Sequence, residues 1–296
     1  MLDVPIAARG RRQAAVAVAS VLAVGSLAGC VGFPARGDTE AAAALAPDCL
    51  KVKCVALTFD DGPGPSTARL LDILAEKKVH ATFFVLGKQV KQHPDLVDRA
   101  VAEGHEIGDH TWDHKALTSL PDTRILSQIN RTSDAIFSAA GIRPDVMRPP
   151  AGAINAAVAN LVGLPAILWS IDTRDWQHRN TAKVLEAVTD VKPGSVVLMH
   201  DIYPSTVDAV PRVIDRLRAA GYALVTVREL FDTRLHPGRI YHGGEKAYEQ
   251  AIVVAGKQEK AREIEDYLAH NGQPEVGAVP GPVTHAAYVP TEQTPE

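Results

Sequence analysis

Between Cys54 and Thr226, short apolar runs of strand length alternate with stretches whose apolar residues recur every three or four positions. CVALTF (54–59), ATFFV (81–85), HEIG (105–108), VMR (146–148), AILWSI (166–171), SVVLM (195–199) and YALVT (222–226) read as strands. Ser66–Lys78 carries Leu70, Leu71, Ile73 and Leu74 on one face, with Ser66 or Thr67 as its cap. Helices are also predicted over Asp95–Glu103, stopped by Gly104, and over Asp122–Ala140, where Ile125, Ile129, Ile136 and Phe137 keep helical spacing up to Gly141. A short helix near Asn155–Val162, one capped by Asn180 and running to Val191, and an amphipathic one through Val207, Val210, Val213, Ile214 and Leu217 complete the series. Strands alternating with helices build a parallel sheet covered on both faces. No glycine-rich phosphate loop follows the first strand, which argues against a nucleotide-binding doubly wound sheet. The expectation is an α/β fold: a distorted, incomplete (β/α) barrel of about seven parallel strands, since roughly 190 residues fall short of the ~250 of the usual eight-stranded barrel.

Outside that span the pattern changes. From about Arg234 the periodicity fades; Glu245–Leu268 is polar and compatible with a helix, and the Pro/Gly-rich tail is expected to be disordered. At the other end, Arg9, Arg11 and Arg12 precede the apolar run Ala14–Ala28, the layout of an export signal rather than of a membrane span. The run ends in LAGC (27–30), which resembles a bacterial lipobox; an ordinary signal peptide with a chance cysteine is the plainer alternative. The expected division is a signal peptide over 1–29, a lipid-bearing Cys30 opening a flexible tether over 30–48, a folded domain over 49–232 and a polar, partly disordered extension over 233–296. Export implies an oxidising compartment, so Cys49 and Cys54 are expected to form a short-loop disulfide. Two free buried thiols are the alternative, and C-x4-C alone is a poor zinc site.

Composition narrows the partners. The 296 residues are 46% hydrophobic and 22% charged, ordinary for a globular chain. Loss of residues 1–29 removes three arginines against one aspartate, moving the net charge from −4 to about −6. Nucleic acid is therefore not an expected partner.

The chemistry lies at strand ends. VALTFDDGPG (55–64) ends a buried strand on two adjacent carboxylates. Buried like charges each cost several kcal/mol, roughly, unless compensated. A polar strand end followed by an Asp-Gly-Pro turn is one reading, a working site the other. The remaining strand ends favour a site: they carry His110 and His114 in GDHTWDH, Arg148, Asp172 and Asp175 in DTRDW, and His200 in LMHD. In a parallel barrel these ends share the face that holds active sites. His110 and His114 are four positions apart, so one helical turn would set both imidazoles on one face. With a carboxylate from the first strand they make three ligands and an open position, where a metal activates water and polarises a carbonyl. Zinc suits the set, and cobalt, manganese or iron would also be accepted. One aspartate of the pair would ligate while its neighbour acts as general base. Adjacent strand residues point oppositely, so a turn through Gly62-Pro63 is needed to bring both inward. Arg148 is suited to pairing with the base, and His200 to acting as general acid, kept protonated by a buried carboxylate.

TFDDG, HTWDH, RPPAG, DTRDW and LMH resemble, in this order, the five motifs of the NodB-type polysaccharide deacetylases, carbohydrate esterase family 4. The match spans about residues 50–230, and the lead DCLKVKCVALTFDDGP is similar to that of exported actinobacterial members. The resemblance implies a metal-dependent hydrolase removing acetyl groups from N- or O-acetylated sugars, and makes 49–232 a NodB-like domain. It implies Asp60 as general base, Asp61, His110 and His114 as ligands of one divalent metal ion, Arg148 as orienting the base, and Asp175 as tuning the acid, His200. Pro150, Ala151, Trp176 and Leu198 would bind substrate, the last two around the acetyl methyl. Trp176 and Leu198 also read as plain core residues. The family's third motif often has an aromatic where Ala151 stands, so a stacking ring is missing, although the backbone N–H there would still serve an oxyanion hole.

These readings converge on an exported, membrane-tethered, monomeric deacetylase of cell-wall glycan, with peptidoglycan N-acetylglucosamine the first substrate. Acetylxylan or chitin oligomers are alternative substrates, and a catalytically idle glycan-binding protein is the alternative of another class. No Ser-His-Asp or Cys-His nucleophile emerges, so hydrolysis is expected without a covalent intermediate.

Overall fold

The computed structural model describes residues 47–243 and residue 262. The expected signal peptide, Cys30, nearly all of the tether and the extension beyond 243, residue 262 apart, lie outside the described residues. In chain order the elements are β1 (Cys54–Asp60), α1 (Thr67–Lys77), β2 (Thr82–Val85), α2 (Gly87–Gln92), α3 (Pro94–Ala102), β3 (Glu106–Asp109), α4 (Asp122–Ala140) and α5 (Ala156–Val162). There follow β4 (Ala166–Ile167), β5 (Ile171–Asp172), α6 (Asp175–His178), α7 (Thr181–Ala187), β6 (Ser195–His200), α8 (Pro204–Ala219), β7 (Ala223–Val225), α9 (Val227–Phe231) and β8 (Ile240–Tyr241).

β1 is buried at every position, as a strand covered on both faces must be. Val55, Leu57 and Phe59 pack in a cluster with Leu70 and Leu74 of α1 and Val210 and Ile214 of α8. Cys54 and Ala56 instead join Phe84, Val146, Ile167, Val196 and Val225, a second cluster inside the wall of strands. The strand period of two therefore directs Thr58 and Asp60 inward, above that inner core. β6 repeats the pattern: Val197 and Met199 face helices while Val196 lies in the inner cluster.

All ladders are parallel. The main sheet runs β3-β2-β1-β6-β5, and β7 pairs with the first half of β1 where β2 pairs with the second. Beyond β3 the wall continues through Met147, which bridges Asp109 on one side and Ala166 on the other, to β4 and β8. Residues 168–170 then carry the chain to β5, Ser170 N donating to Val196 O at 3.1 Å. The result is the expected distorted parallel barrel.

Several boundaries differ from expectation. VMR reduces to the single bridging Met147, because Pro144 and Pro149 flank it and supply no ladder donors. AILWSI splits into β4 and β5 as the chain changes partners from β8 to β6. The helix expected to reach Val191 stops at Ala187, ahead of the β-branched Val188 and Thr189. α2 and β8 are too short to show a period. By contrast, α4 spans the predicted residues and ends on left-handed Gly141. Cys49 and Cys54 are joined by a disulfide ahead of β1. Among the described residues no helix is long and apolar enough to cross a membrane.

Candidate active site

At the C-terminal edge of the wall, β1 and β6 are in register with Asp60 opposite His200, so the two side chains leave neighbouring strands on one face. Asp60 is buried, and its Oδ1 accepts a 2.8 Å hydrogen bond from Arg148 Nη1. Arg148 is itself fully buried. It also donates to Thr58 Oγ1 at 2.7 Å, Ile167 O at 2.9 Å and Leu168 O at 3.1 Å, with its guanidinium 4.1 Å from the Phe84 ring centroid. A buried ion pair is tolerated when its remaining donors are met in this way. Asp60 Oδ2 is left on the side of His110, 3.8 Å from Nε2.

Asp61 has left-handed backbone geometry, φ 75°, and that reversal brings a second consecutive carboxylate into the same space. The turn therefore begins one residue earlier than Gly62-Pro63. Gly62 then passes over Asp201 so closely that a Cβ would lie 2.2 Å from Asp201 Oδ2. Asp61 Oδ1 is 3.4 Å from Nε2 of both His110 and His114, and it is buried without a hydrogen-bond partner. His110 Nδ1 donates to the Arg148 carbonyl at 2.7 Å, so Nε2 presents its lone pair. Burial pushes the Asp61 pKa up, but His110, His114 and His200 together hold it below the ordinary carboxylate value. Burial dominates at His114 and lowers its pKa, favouring the neutral imidazole a metal ligand must be. One candidate ligand atom from each of Asp61, His110 and His114 lies within 4.8 Å of the others. An orphaned carboxylate oxygen between two imidazole nitrogens fits a divalent cation.

His200 faces the same space from β6. Its Nδ1 donates to Asp175 Oδ1 at 2.7 Å, and its Nε2 lies 3.9 Å from Asp61 Oδ2. Asp175, fully buried at the start of α6, also accepts from His200 N at 2.7 Å, Thr206 Oγ1 at 2.8 Å and Trp176 N at 2.8 Å. Burial alone would lower the His200 pKa. The hydrogen bond and charge of Asp175, with Asp60 and Asp61 behind it, reverse this and raise it to about 9. The site thus brings a carboxylate and a histidine with a raised pKa, both from the one face, beside a set of groups able to hold a cation.

The same chain matches the family model for polysaccharide deacetylase over residues 48–166. It is 40% identical over 190 residues to a chitooligosaccharide deacetylase of Rhizobium leguminosarum bv. trifolii, covering 57% of this chain and 87% of that protein. The chain belongs to the polysaccharide deacetylase family. A peptidoglycan-N-acetylglucosamine deacetylase of Listeria monocytogenes is 46% identical over 194 residues, covering 64% of this chain. The match spans only 41% of that longer relative. Among solved structures, one described as T48 deacetylase with substrate superposes with a TM-score of 0.65 at 49% identity, over 66% of this chain and all of that one.

In this member of the polysaccharide deacetylase family the polar groups floor a cleft of about 430 Å³ walled by Ala151, Trp169, Trp176, Leu198 and Tyr203. Trp176 is 48% exposed, which separates it from the core reading, whereas Leu198 is buried. Pro150, the first residue of the 3-10 turn Pro150–Gly152, is buried and does not line the cleft, contrary to expectation. Its neighbour Ala151, at φ 54°, does. The expected helical turn for His110 and His114 is also absent. Residues 110–116 form a loop with left-handed Thr111 and His114, and the loop path brings the imidazoles together. Sequence reasoning did not single out Trp169 and Tyr203 in the cleft wall, Thr206 on Asp175, or the buried Asp201 beneath Gly62. Asp201 was visible as the residue after the motif histidine. Burial, above all, raises its pKa to about 7.

Proposed function

We propose that the chain is a metal-dependent hydrolase that removes acetyl groups from N-acetylated cell-wall glycan, with peptidoglycan N-acetylglucosamine the foremost substrate. The observation that carries the reading is the meeting, in one cleft, of Asp60 paired to Arg148, His200 paired to Asp175, and the ligand set Asp61, His110 and His114. A divalent ion held by that set would polarise the acetyl carbonyl and acidify a water molecule. Zinc suits one carboxylate and two imidazoles, with cobalt or manganese as alternatives.

Asp60 is the general base. Arg148 engages Oδ1, orienting the carboxylate so that Oδ2 takes the proton of the attacking water. The water oxygen bonds to the acetyl carbon, giving a tetrahedral centre. His200 Nε2 then gives its proton to the amide nitrogen as the C–N bond breaks, releasing acetate and a free amino sugar. Asp175 keeps the imidazole charged and oriented until that step. Trp176 and Leu198 would enclose the acetyl methyl, and Ala151 leaves that side of the cleft without a stacking ring. An enzyme for wall glycan works outside the cytoplasmic membrane, and the LAGC sequence supports tethering through a lipid on Cys30, with the enzyme a monomer.

The test is acetate release from purified peptidoglycan by metal-free and zinc- or cobalt-loaded protein, with Asp60→Asn alongside. Metal-dependent release that Asp60→Asn abolishes despite retained metal is the expected result. Release from acetylxylan or chitin oligomers alone would overturn the substrate, and silence on all three would overturn the enzyme.

A further inference from the structure

We infer that Gln128, on α4 and outside the family motifs, is a positioning residue that sets the loop carrying both metal-ligand histidines; the inference rests on the metal-dependent reading above. Between His110 and His114 the chain is neither helix nor strand, and Thr111 is a β-branched residue at φ 73°. Such a conformation persists only where its surroundings over-determine it. Asp109 Oδ1 takes the Thr111 N–H at 2.7 Å, and the start of α2 takes the carbonyls of Thr111 and Trp112, each at 3.0 Å. The remaining amides are held by one buried side chain. Gln128 Oε1 accepts from Trp112 N at 2.8 Å and Asp113 N at 3.2 Å, and Gln128 Nε2 donates to Asp113 Oδ1 at 2.8 Å. One turn further along α4, the Arg131 guanidinium lies 4.0 Å from the Trp112 ring centroid. Helix α4 therefore grips the two residues immediately before His114, and its side chain at 128 meets them with an acceptor and a donor at once.

The donor–acceptor pattern makes the role testable by exchange. Gln128→Leu removes all three bonds. Gln128→Glu keeps the two acceptor bonds but sets a carboxylate against that of Asp113. Adding Asp113→Asn restores a donor facing that acceptor, with the direction of the bond reversed. Cobalt and zinc affinities of the full chain are measured by competition with a chromophoric chelator, with the visible spectrum of bound cobalt reporting ligand geometry and circular dichroism reporting the fold. Gln128→Leu is expected to weaken binding about 10–100-fold, the range for residues that orient metal ligands. Gln128→Glu should weaken it and alter the cobalt spectrum, and the added Asp113→Asn should recover both. A folded Gln128→Leu protein that binds cobalt as tightly as wild type would overturn the inference, as would failure of the double variant to recover affinity lost in Gln128→Glu. If wild type binds no divalent metal, the metal-dependent reading itself fails.

Discussion

Asp175→Asn tests how His200, the proposed acid, is kept charged. The raised His200 pKa, about 9 against an ordinary 6.5, amounts to about 3 kcal/mol in favour of the imidazolium. Burial works in the opposite direction, so the carboxylates supply more than that net figure. Asp175 is the nearest, and its two oxygens accept from four donors. Asparagine removes the charge and turns one oxygen into an NH2 facing donors. The His200 pKa should then fall to about 6.5, because burial, the largest single effect, opposes the charges of Asp60 and Asp61 that remain. At pH 8 the protonated fraction would drop from about 90% to about 3%, a loss of about 30-fold in turnover, while at pH 6 the loss from protonation would be less than about twofold.

The assay is the pH profile of acetate release from an N-acetylglucosamine oligomer, with the imidazole of His200 titrated by NMR in the metal-free protein. Wild type should lose activity as pH rises through about 9, and the variant about 2.5 units earlier. Stability follows the same sign: a raised folded-state pKa contributes fully below about pH 6.5 and is lost as pH climbs through about 9. A folded variant with equal loss at pH 6 and pH 8 and an NMR pKa still near 9 would refute the reasoning. Asp175 would then orient the ring without charging it.

Other perturbations separate fold from chemistry. Arg148→Met leaves the Asp60 carboxylate buried and unpaired and should cost about 3–5 kcal/mol in chemical denaturation; a cost below about 1 kcal/mol would mean that water replaces the guanidinium. Reducing the Cys49–Cys54 bond reopens a loop of sequence separation 5, worth about 2 kcal/mol in the chain-entropy account, and should lower the melting temperature without changing metal affinity. Trp176→Ala should leave the melting temperature nearly unchanged, since the ring is 48% exposed, while lowering kcat/KM for acetylated substrate; a large drop in melting temperature would return Trp176 to the core.

What could be read from the sequence follows from what each pattern encodes. The inward set Ala56, Thr58 and Asp60 is legible because strand period and burial agree, and the same arithmetic puts Val196, Leu198 and His200 beside it. Register needs no separate information once both strands end on their polar residues, and so Asp60 and His200, the proposed base and acid, could be paired from the linear chain. The two histidines reached the right place by a path the sequence did not disclose. A spacing of four is helical only if the backbone is helical, and nothing in HTWDH announces left-handed Thr111 and His114. That geometry is held by Gln128, fourteen residues beyond His114 on another element, and by amides of α2. Trp169 was hidden for a related reason. It lies in an apolar run that reads as one strand but changes partners at Leu168–Ser170, and the change turns a would-be core ring toward the cleft. Local periodicity thus reports residues whose environment is set by their own element. Where a neighbouring element imposes the conformation, as α4 does on the histidine loop, the information lies in a residue such as Gln128, which no motif would have marked.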